Sequence, residues 1–154
     1  MTVRIGLISD THGLLRPEAR RFLHGSDRIV HAGDICDPGH LEELAAIAPL
    51  TAVRGNCDRG PWADRLPGTA FLQVGGLRLC VVHDLSGLDL PADAGAVRVV
   101  VFGHSHQPLV RESGGVLHVN PGSAGPRRFR LPVAVGELIV EGASVRARIQ
   151  ELAV

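Results

Sequence analysis

Three short apolar runs, 3–9, 27–31 and 50–54, are separated by segments of helical spacing, and this alternation constrains the fold more than any other feature of the chain. Parallel strand neighbours need a long crossover between them, and a helix supplies it. Strand, helix, strand, helix, strand is therefore the pattern of a sheet with parallel crossovers. Segment 17–24 reads as the first helix, opened by Pro17 at a position where a missing N–H costs nothing. Segment 38–48 reads as the second, with Leu41, Leu44, Ala45 and Ala48 on one face and Glu42 and Glu43 outside.

The second half of the chain changes character. Thr69–Val74 and 77–83 flank Gly75-Gly76 as a hairpin, 97–102 reads as a fully buried strand, and 109–112 with 116–119 flank Ser113-Gly114-Gly115 as a second hairpin. A third antiparallel pair, 133–140 and 144–152, turns at Glu141-Gly142, while 85–95 reads as a loop or short helix. So many strands do not fit one narrow sheet. The expectation is a single α/β domain over residues 1–154, built as two packed sheets with helices outside, large enough at 45% apolar content to bury about 70% of its unfolded surface.

Composition removes several function classes. Sixteen arginines are balanced by sixteen carboxylates, so no global field draws the chain onto nucleic acid or anionic lipid. With no Tyr and Trp62 as its only Trp, it also lacks the makings of a base-stacking platform, and nucleic acid is disfavoured as a partner. Cys36, Cys57 and Cys80 are odd in number and show no CxxC spacing, which argues against a disulfide framework or a zinc knuckle. Cys36 and Cys80 sit in apolar sequence surroundings and read as inert buried thiols. The longest apolar run, 97–102, is far too short to span a bilayer, and residues 3–8 lead straight into a strand without a leader pattern; no membrane and a cytoplasmic location are expected. His24, His31, His40 and His118 read as ordinary surface or core residues, and Arg127, Arg128 and Arg130 as a solvated basic loop.

What singles the chain out is where its remaining polar residues fall. Asp10 and His12 follow the first apolar run, Asp34 the second, Asn56 the third, His83 the first hairpin, and His104 with His106 the run 97–102. In open α/β sheets ligands collect at the carboxyl ends of strands, so these seven groups would converge on one rim. Carboxylate, amide oxygen and imidazole together form the donor set of a divalent metal site. Gly13, Gly33, Gly55 and Gly103 adjoin the donors and permit the sharp turns and close approach such a site needs.

The ordered set Asp10-x-His12, Gly33-Asp34, Gly55-Asn56-Cys57-Asp58, His83 and Gly103-His104-Ser105-His106 resembles the calcineurin-like metallophosphoesterase superfamily. Asn120-Pro121-Gly122-Ser123 with Pro126-Arg127 is similar to its small YfcE-type phosphodiesterase branch. The resemblance implies a four-layer αββα sandwich of two mixed sheets flanked by helices. It implies two divalent cations, manganese as first choice with iron, nickel, cobalt or zinc also compatible, the first held by Asp10, His12 and His106, the second by Asn56, His83 and His104, with Asp34 bridging. The implied reaction is in-line hydrolysis of a small phosphate ester, most plainly a phosphodiester, by a hydroxide bridging the metals. Asp34, Asn56, Cys57 and Asp58 are the implied catalytic residues, and Gly13, Asn56, Ser123 and Arg127 the candidates for holding the ester. A catalytically weak scaffold for protein assembly, or a nuclease, are the alternatives; oligomeric state is left open.

Two departures from the family pattern stand out. Cys57 occupies the position where many members carry the histidine thought to protonate the leaving alkoxide, and Asp84 follows His83 where glycine is usual. The first points to esters with good leaving groups; the second places a carboxylate at the entrance of the second metal or behind a ligand imidazole.

Overall fold

The computed structural model describes residues 1–88 and 96–154. Strands β1 (Thr2–Ile8), β2 (Arg28–His31) and β3 (Leu50–Ala52) run parallel; β9 (Ala134–Glu141), antiparallel to β1, and β10 (Ser144–Glu151), antiparallel to β9, extend the same sheet in the order β10-β9-β1-β2-β3. A second sheet has the order β4-β5-β6-β8-β7, from β4 (Thr69–Val74), β5 (Leu77–Val82), β6 (Val97–Val101), β7 (Leu109–Ser113) and β8 (Val116–Asn120). In it β5, β6 and β8 are parallel, and β4 and β7 are antiparallel partners at the edges.

Strand alternation sorts the side chains into layers. Ile5, Leu7 and Val30 face Leu79, Val81, Val99 and Val101 between the sheets, all fully buried. Ile8 and Ile29 point the other way, under α1 (Pro17–Leu23) and α2 (Pro38–Ala45), where they meet Ala19, Leu23 and Leu44. Each such buried aliphatic side chain contributes about 1.5–3 kcal/mol. On the outer face of the second sheet, Cys80, Val82, Val100 and Phe102 pack under Leu85 and Leu88, around a 3-10 turn at Leu85–Gly87. The result is the αββα sandwich, with that turn as its fourth layer among the described residues; most of the segment 85–95 expected as loop or short helix lies outside them.

Two local differences from the sequence reading have clear causes. The second helix ends at Ala45 and not Ala48, because Pro49 disfavours helical backbone at the residue before it and the chain must turn into β3; Ala45, expected on the apolar face, is exposed. A four-residue helix α3 (Pro61–Asp64), too short to show periodicity, precedes β4. Because β1, β2, β3, β5 and β6 all run in the same sense within their sheets, their carboxyl ends form one rim where the two sheets meet.

Candidate metal centre

The rim is built on strained backbone. Asp10 (φ 53°), His12 (46°), Asp34 (59°), His104 (73°) and His106 (62°) are in the left-handed region, which costs a non-glycine residue about 1–2 kcal/mol each. The strain has a function: in Asp10-x-His12 it reverses the chain so that the side chains at i and i+2 come together, and in His104-x-His106 it turns one ring toward Asn56 and the other toward Asp10. The β1 loop is then tied to the β2 loop by Asp10 N–H to Gly33 C=O (3.0 Å), His12 N–H to Asp34 C=O (2.9 Å) and Gly13 N–H to Ile35 C=O (2.9 Å).

Four side chains brace these loops. The buried carboxylate of Asp58 accepts backbone N–H groups from Ile35 and Cys36 (both 2.8 Å) on one oxygen and from Asp34 (3.0 Å) and Gly55 (2.8 Å) on the other, locking the β2 loop onto the β3 loop. His31 accepts the Gly33 N–H at Nδ1 (3.1 Å), which fixes the proton on Nε2, 3.0 Å from the Thr11 hydroxyl. Burial pulls the His31 pKa down to about 4, so the ring is a neutral link between the loops carrying Asp10 and Asp34. Asn120 donates to the Gly103 carbonyl and the Ser105 hydroxyl (both 3.1 Å), holding the β6 loop. Ser123 donates to the Asp10 carbonyl (2.9 Å). Asp58 and Ser123 stand out in the sequence as site residues and Asn120 as part of the Asn120-Pro121-Gly122-Ser123 motif, without a role assigned to it; His31 carries no pattern beyond its place just before the Gly33-Asp34 pair.

All seven candidate donors meet on the rim. Around Asp10 Oδ1 lie His106 Nε2 at 3.3 Å and His12 Nε2 at 3.8 Å, the two imidazole nitrogens being 3.3 Å apart. On the other side Asn56 Oδ1 is 3.0 Å from His83 Nε2 and 3.2 Å from His104 Nδ1. Asp34 lies between: its Oδ2 is 3.5 Å from His12 Nε2 and 3.2 Å from His83 Nε2, while Oδ1 accepts the Cys57 N–H at 2.9 Å. Asp84 lies near His104, with Oδ1 held by the Ser86 hydroxyl and N–H and Oδ2 3.9 Å from His104 Nε2, within ion-pair reach but beyond hydrogen-bond distance.

Two observations test whether these residues fit metal ions. Asp10 Oδ2 is satisfied by the Ser9 hydroxyl (2.6 Å) and the His104 N–H (3.2 Å), yet Oδ1, wholly buried, has no hydrogen-bond partner among the described residues. An orphaned carboxylate oxygen ringed by imidazole nitrogens is the arrangement a cation relieves. At the second cluster His83 Nδ1–H donates to the Ala32 carbonyl (2.7 Å), so in the neutral ring the Nε2 lone pair faces the oxygens of Asn56 and Asp34 with no proton between them. A proton on Nε2 is the other remedy: burial draws the His83 pKa down, but the Asp34 and Asp10 carboxylates outweigh it and raise it overall. The same balance acts in reverse on Asp10, where burial pushes the carboxyl up but His106, His12 and Ser9 hold it well below the usual carboxylate range. Both halves suit a divalent cation, and the donors are the mixed oxygen and nitrogen set such ions take.

The candidates for holding an ester fare differently. Asn56 is on the rim, but the Gly13 N–H is committed to Ile35, the Ser123 hydroxyl to Asp10, and Arg127 reaches away to the carbonyls of Leu131 (3.5 Å) and Val154 (3.3 Å). The guanidinium whose field reaches Cys57 is that of Arg128. Cys80 is buried as expected, whereas Cys36 is exposed: its positive φ (67°) and the clamp of Asp58 on its N–H turn the side chain out of the core, to 3.9 Å from His12 Nδ1.

Comparison with known proteins accords with this geometry. Residues 3–141 match the calcineurin-like phosphoesterase superfamily domain. A probable metallophosphoesterase of Methanothermobacter thermautotrophicus is 33% identical across 94% of this chain and 90% of its own length. Phosphodiesterase YfcE of Escherichia coli is 29% identical across 88% of this chain and 87% of its own. Its solved structure aligns with a TM-score of 0.69 at 27% identity, covering 88% of each chain. Vacuolar protein sorting 29 from Cryptosporidium parvum has the same fold, with a TM-score of 0.78 over 98% of both chains at 19% identity. The donors that the rim gathers are thus carried on a chain that, over nearly its whole length, belongs to the calcineurin-like phosphoesterase superfamily.

Proposed function

We propose that this protein, acting as one domain over residues 1–154, hydrolyses a small phosphodiester with the help of two divalent cations, manganese first and iron, nickel, cobalt or zinc as alternatives. Asp10, His12 and His106 would hold one cation and Asn56, His83 and His104 the other. The observation that carries the reading is the position of Asp34, whose Oδ2 lies 3.5 Å from the His12 nitrogen of one cluster and 3.2 Å from the His83 nitrogen of the other, where a bridging ligand belongs.

When bound, such a cation pair lowers the pKa of a water for in-line attack and offsets charge on the phosphate oxygens. The chain's own part is positional. Asp58 and His31 fix the Asp34 and Asp10 loops, and Asn120 fixes the loop of His104 and His106. Asp10 and Asp34 bring only two negative charges to the two dications, so net positive charge remains to attract an anionic ester. His104, about half exposed, stands at the mouth, and the charge of Arg128 is felt at Cys57. A small ester enters without crossing a membrane or engaging a nucleic-acid groove; no helix among the described residues is long and apolar enough to span a bilayer. A cytoplasmic location is part of the same reading.

Cys57 sets the substrate range. Burial and the Asp34 carboxylate push its thiol pKa up, so it is a weak proton donor near neutral pH. Aryl esters, whose leaving groups need little protonation, should turn over faster than alkyl esters. The test is metal-stripped protein given each cation in turn against a panel of aryl and alkyl mono- and diesters. Hydrolysis with none of them overturns the reading, and an alkyl-to-aryl rate ratio unchanged by Cys57→His overturns the account of Cys57. A role in protein assembly alone is the weaker reading, because all seven donor positions are filled; digestion assays on single- and double-stranded DNA dispose of the nuclease alternative.

A further inference from the structure

The exposed thiol of Cys57, beside the rim, belongs to neither of the clusters just described. A ring nitrogen of His12, a carboxylate oxygen of Asp34 and the Cys57 sulfur all lie within 4.8 Å of one another. The Asp34 oxygen nearest His12 is Oδ2, 3.5 Å from Nε2. Thiolate, imidazole and carboxylate form a three-donor set for zinc, with a fourth position left for water. Around a tetrahedral zinc, with Zn–S near 2.3 Å and Zn–N or Zn–O near 2.0 Å, the donors stand about 3.3–3.6 Å apart. The Cys57 side chain is at the surface and free to turn, its sulfur lying beside the Asn56 amide at 3.5 Å and against the Asp34 carboxylate.

We propose that Cys57, His12 and Asp34 form a separate site for a thiophilic cation, zinc first, that overlaps the two-cation centre and displaces it. As the cation binds, the Cys57 S–H bond breaks, the proton passes to solvent, and a sulfur–metal bond forms. The overlap makes the two occupancies exclusive. His12 Nε2, the nitrogen facing Asp34, is also the one facing Asp10 at 3.8 Å and His106 at 3.3 Å, and its single lone pair serves one cation at a time. Asp34 Oδ2, shared with His83, is drawn out of its bridging position in the same event. Cys36, whose sulfur flanks His12 at Nδ1, is not a ligand in this arrangement.

The displacement rests on the function proposed above, but the site does not, and the experiment separates them. Metal-stripped protein titrated with cadmium or cobalt(II) should develop a thiolate-to-metal charge-transfer band. The band should appear in wild type, Cys36→Ser and Cys80→Ser and vanish in Cys57→Ser, whose exposed position makes the substitution safe for folding. A band absent from wild type, surviving in Cys57→Ser or lost in Cys36→Ser overturns the site. In parallel, zinc should inhibit manganese-loaded wild type, and the half-inhibiting zinc concentration, each variant taken relative to its own manganese-only rate, should rise at least about tenfold in Cys57→Ser, the scale of losing one contributor to a metal site. Equal zinc sensitivity in the two proteins overturns the displacement. A band that follows Cys57 in a protein that hydrolyses no ester leaves the thiolate site standing and removes the proposed function.

Discussion

Asp58→Asn exchanges an acceptor-only side chain for one that is half donor, at a place where four backbone N–H groups converge. Whichever way the amide is turned, its NH2 replaces one carboxylate oxygen and faces either Ile35 and Cys36 or Asp34 and Gly55, so two buried donors lose their acceptor. Leaving a buried donor unsatisfied costs about 1–3 kcal/mol, and the two bonds that remain lose the charge that strengthened them. The sum is about 3–6 kcal/mol, a large fraction of the roughly 5–15 kcal/mol that stabilises a domain of this kind. In urea, with a slope of about 2 kcal/mol/M, the unfolding midpoint should fall by about 2 M. Because the four N–H groups flank Asp34 and Asn56, manganese affinity measured by calorimetry should fall as well, even at low temperature where the variant stays folded. A midpoint within about 0.5 M of wild type, with unchanged manganese affinity, would refute the role of Asp58 as the clamp of the site.

Three further outcomes are expected. His31 is buried as the neutral ring, with a folded pKa near 4 against about 6.5 unfolded, so below pH 6.5 the unfolded chain binds the extra proton and stability falls with pH until about 4; the loss reaches about 3 kcal/mol, and pH-dependent urea midpoints should show a shallower slope in His31→Gln. Gly55→Ala places a methyl group against the backbone nitrogen and carboxylate of Asp34, costing about 1–3 kcal/mol, and electron paramagnetic resonance should find fewer manganese ions bound; full occupancy would contradict the close approach. Manganese at 100 times its Kd should stabilise the native state by about 2.7 kcal/mol and raise Tm by about 5–10 °C over a chelator-treated sample, whereas coincident melting curves would count against any metal site in the fold.

The layers and the donors were legible in the sequence for one reason: apolar runs of strand length stop at polar residues. Ile5 and Leu7 declare the face between the sheets, and Asp10 and His12 declare where β1 ends. What holds the donors was not legible. Asp58 stood in the sequence among the implied catalytic residues, but its four bonds are to backbone, and no sequence pattern records where an N–H will point. His31 looked like an ordinary strand residue because only the packing of the β1 loop on the β2 loop brings Thr11 to its ring. Cys36 was misread as buried because its apolar neighbour Ile35 is buried; the reversal at Cys36 is set by a positive φ that composition does not foretell.

The strained dihedrals and the braces are two sides of one arrangement. Five donor residues held at positive φ cost together about 5–10 kcal/mol, on the order of the whole stability of a domain, so they persist only where other contacts over-determine them. Those contacts are the charged and neutral bonds of Asp58, His31, Asn120 and Ser123, none of which reaches the orphaned oxygen of Asp10. Donor placement is therefore enforced by the surrounding fold, so that in the function proposed above cation binding need not supply the ordering. It follows that loss of a brace should weaken metal affinity more than loss of an equally buried core residue of the same stability, since a core vacancy leaves the dihedrals of Asp10 and Asp34 in place.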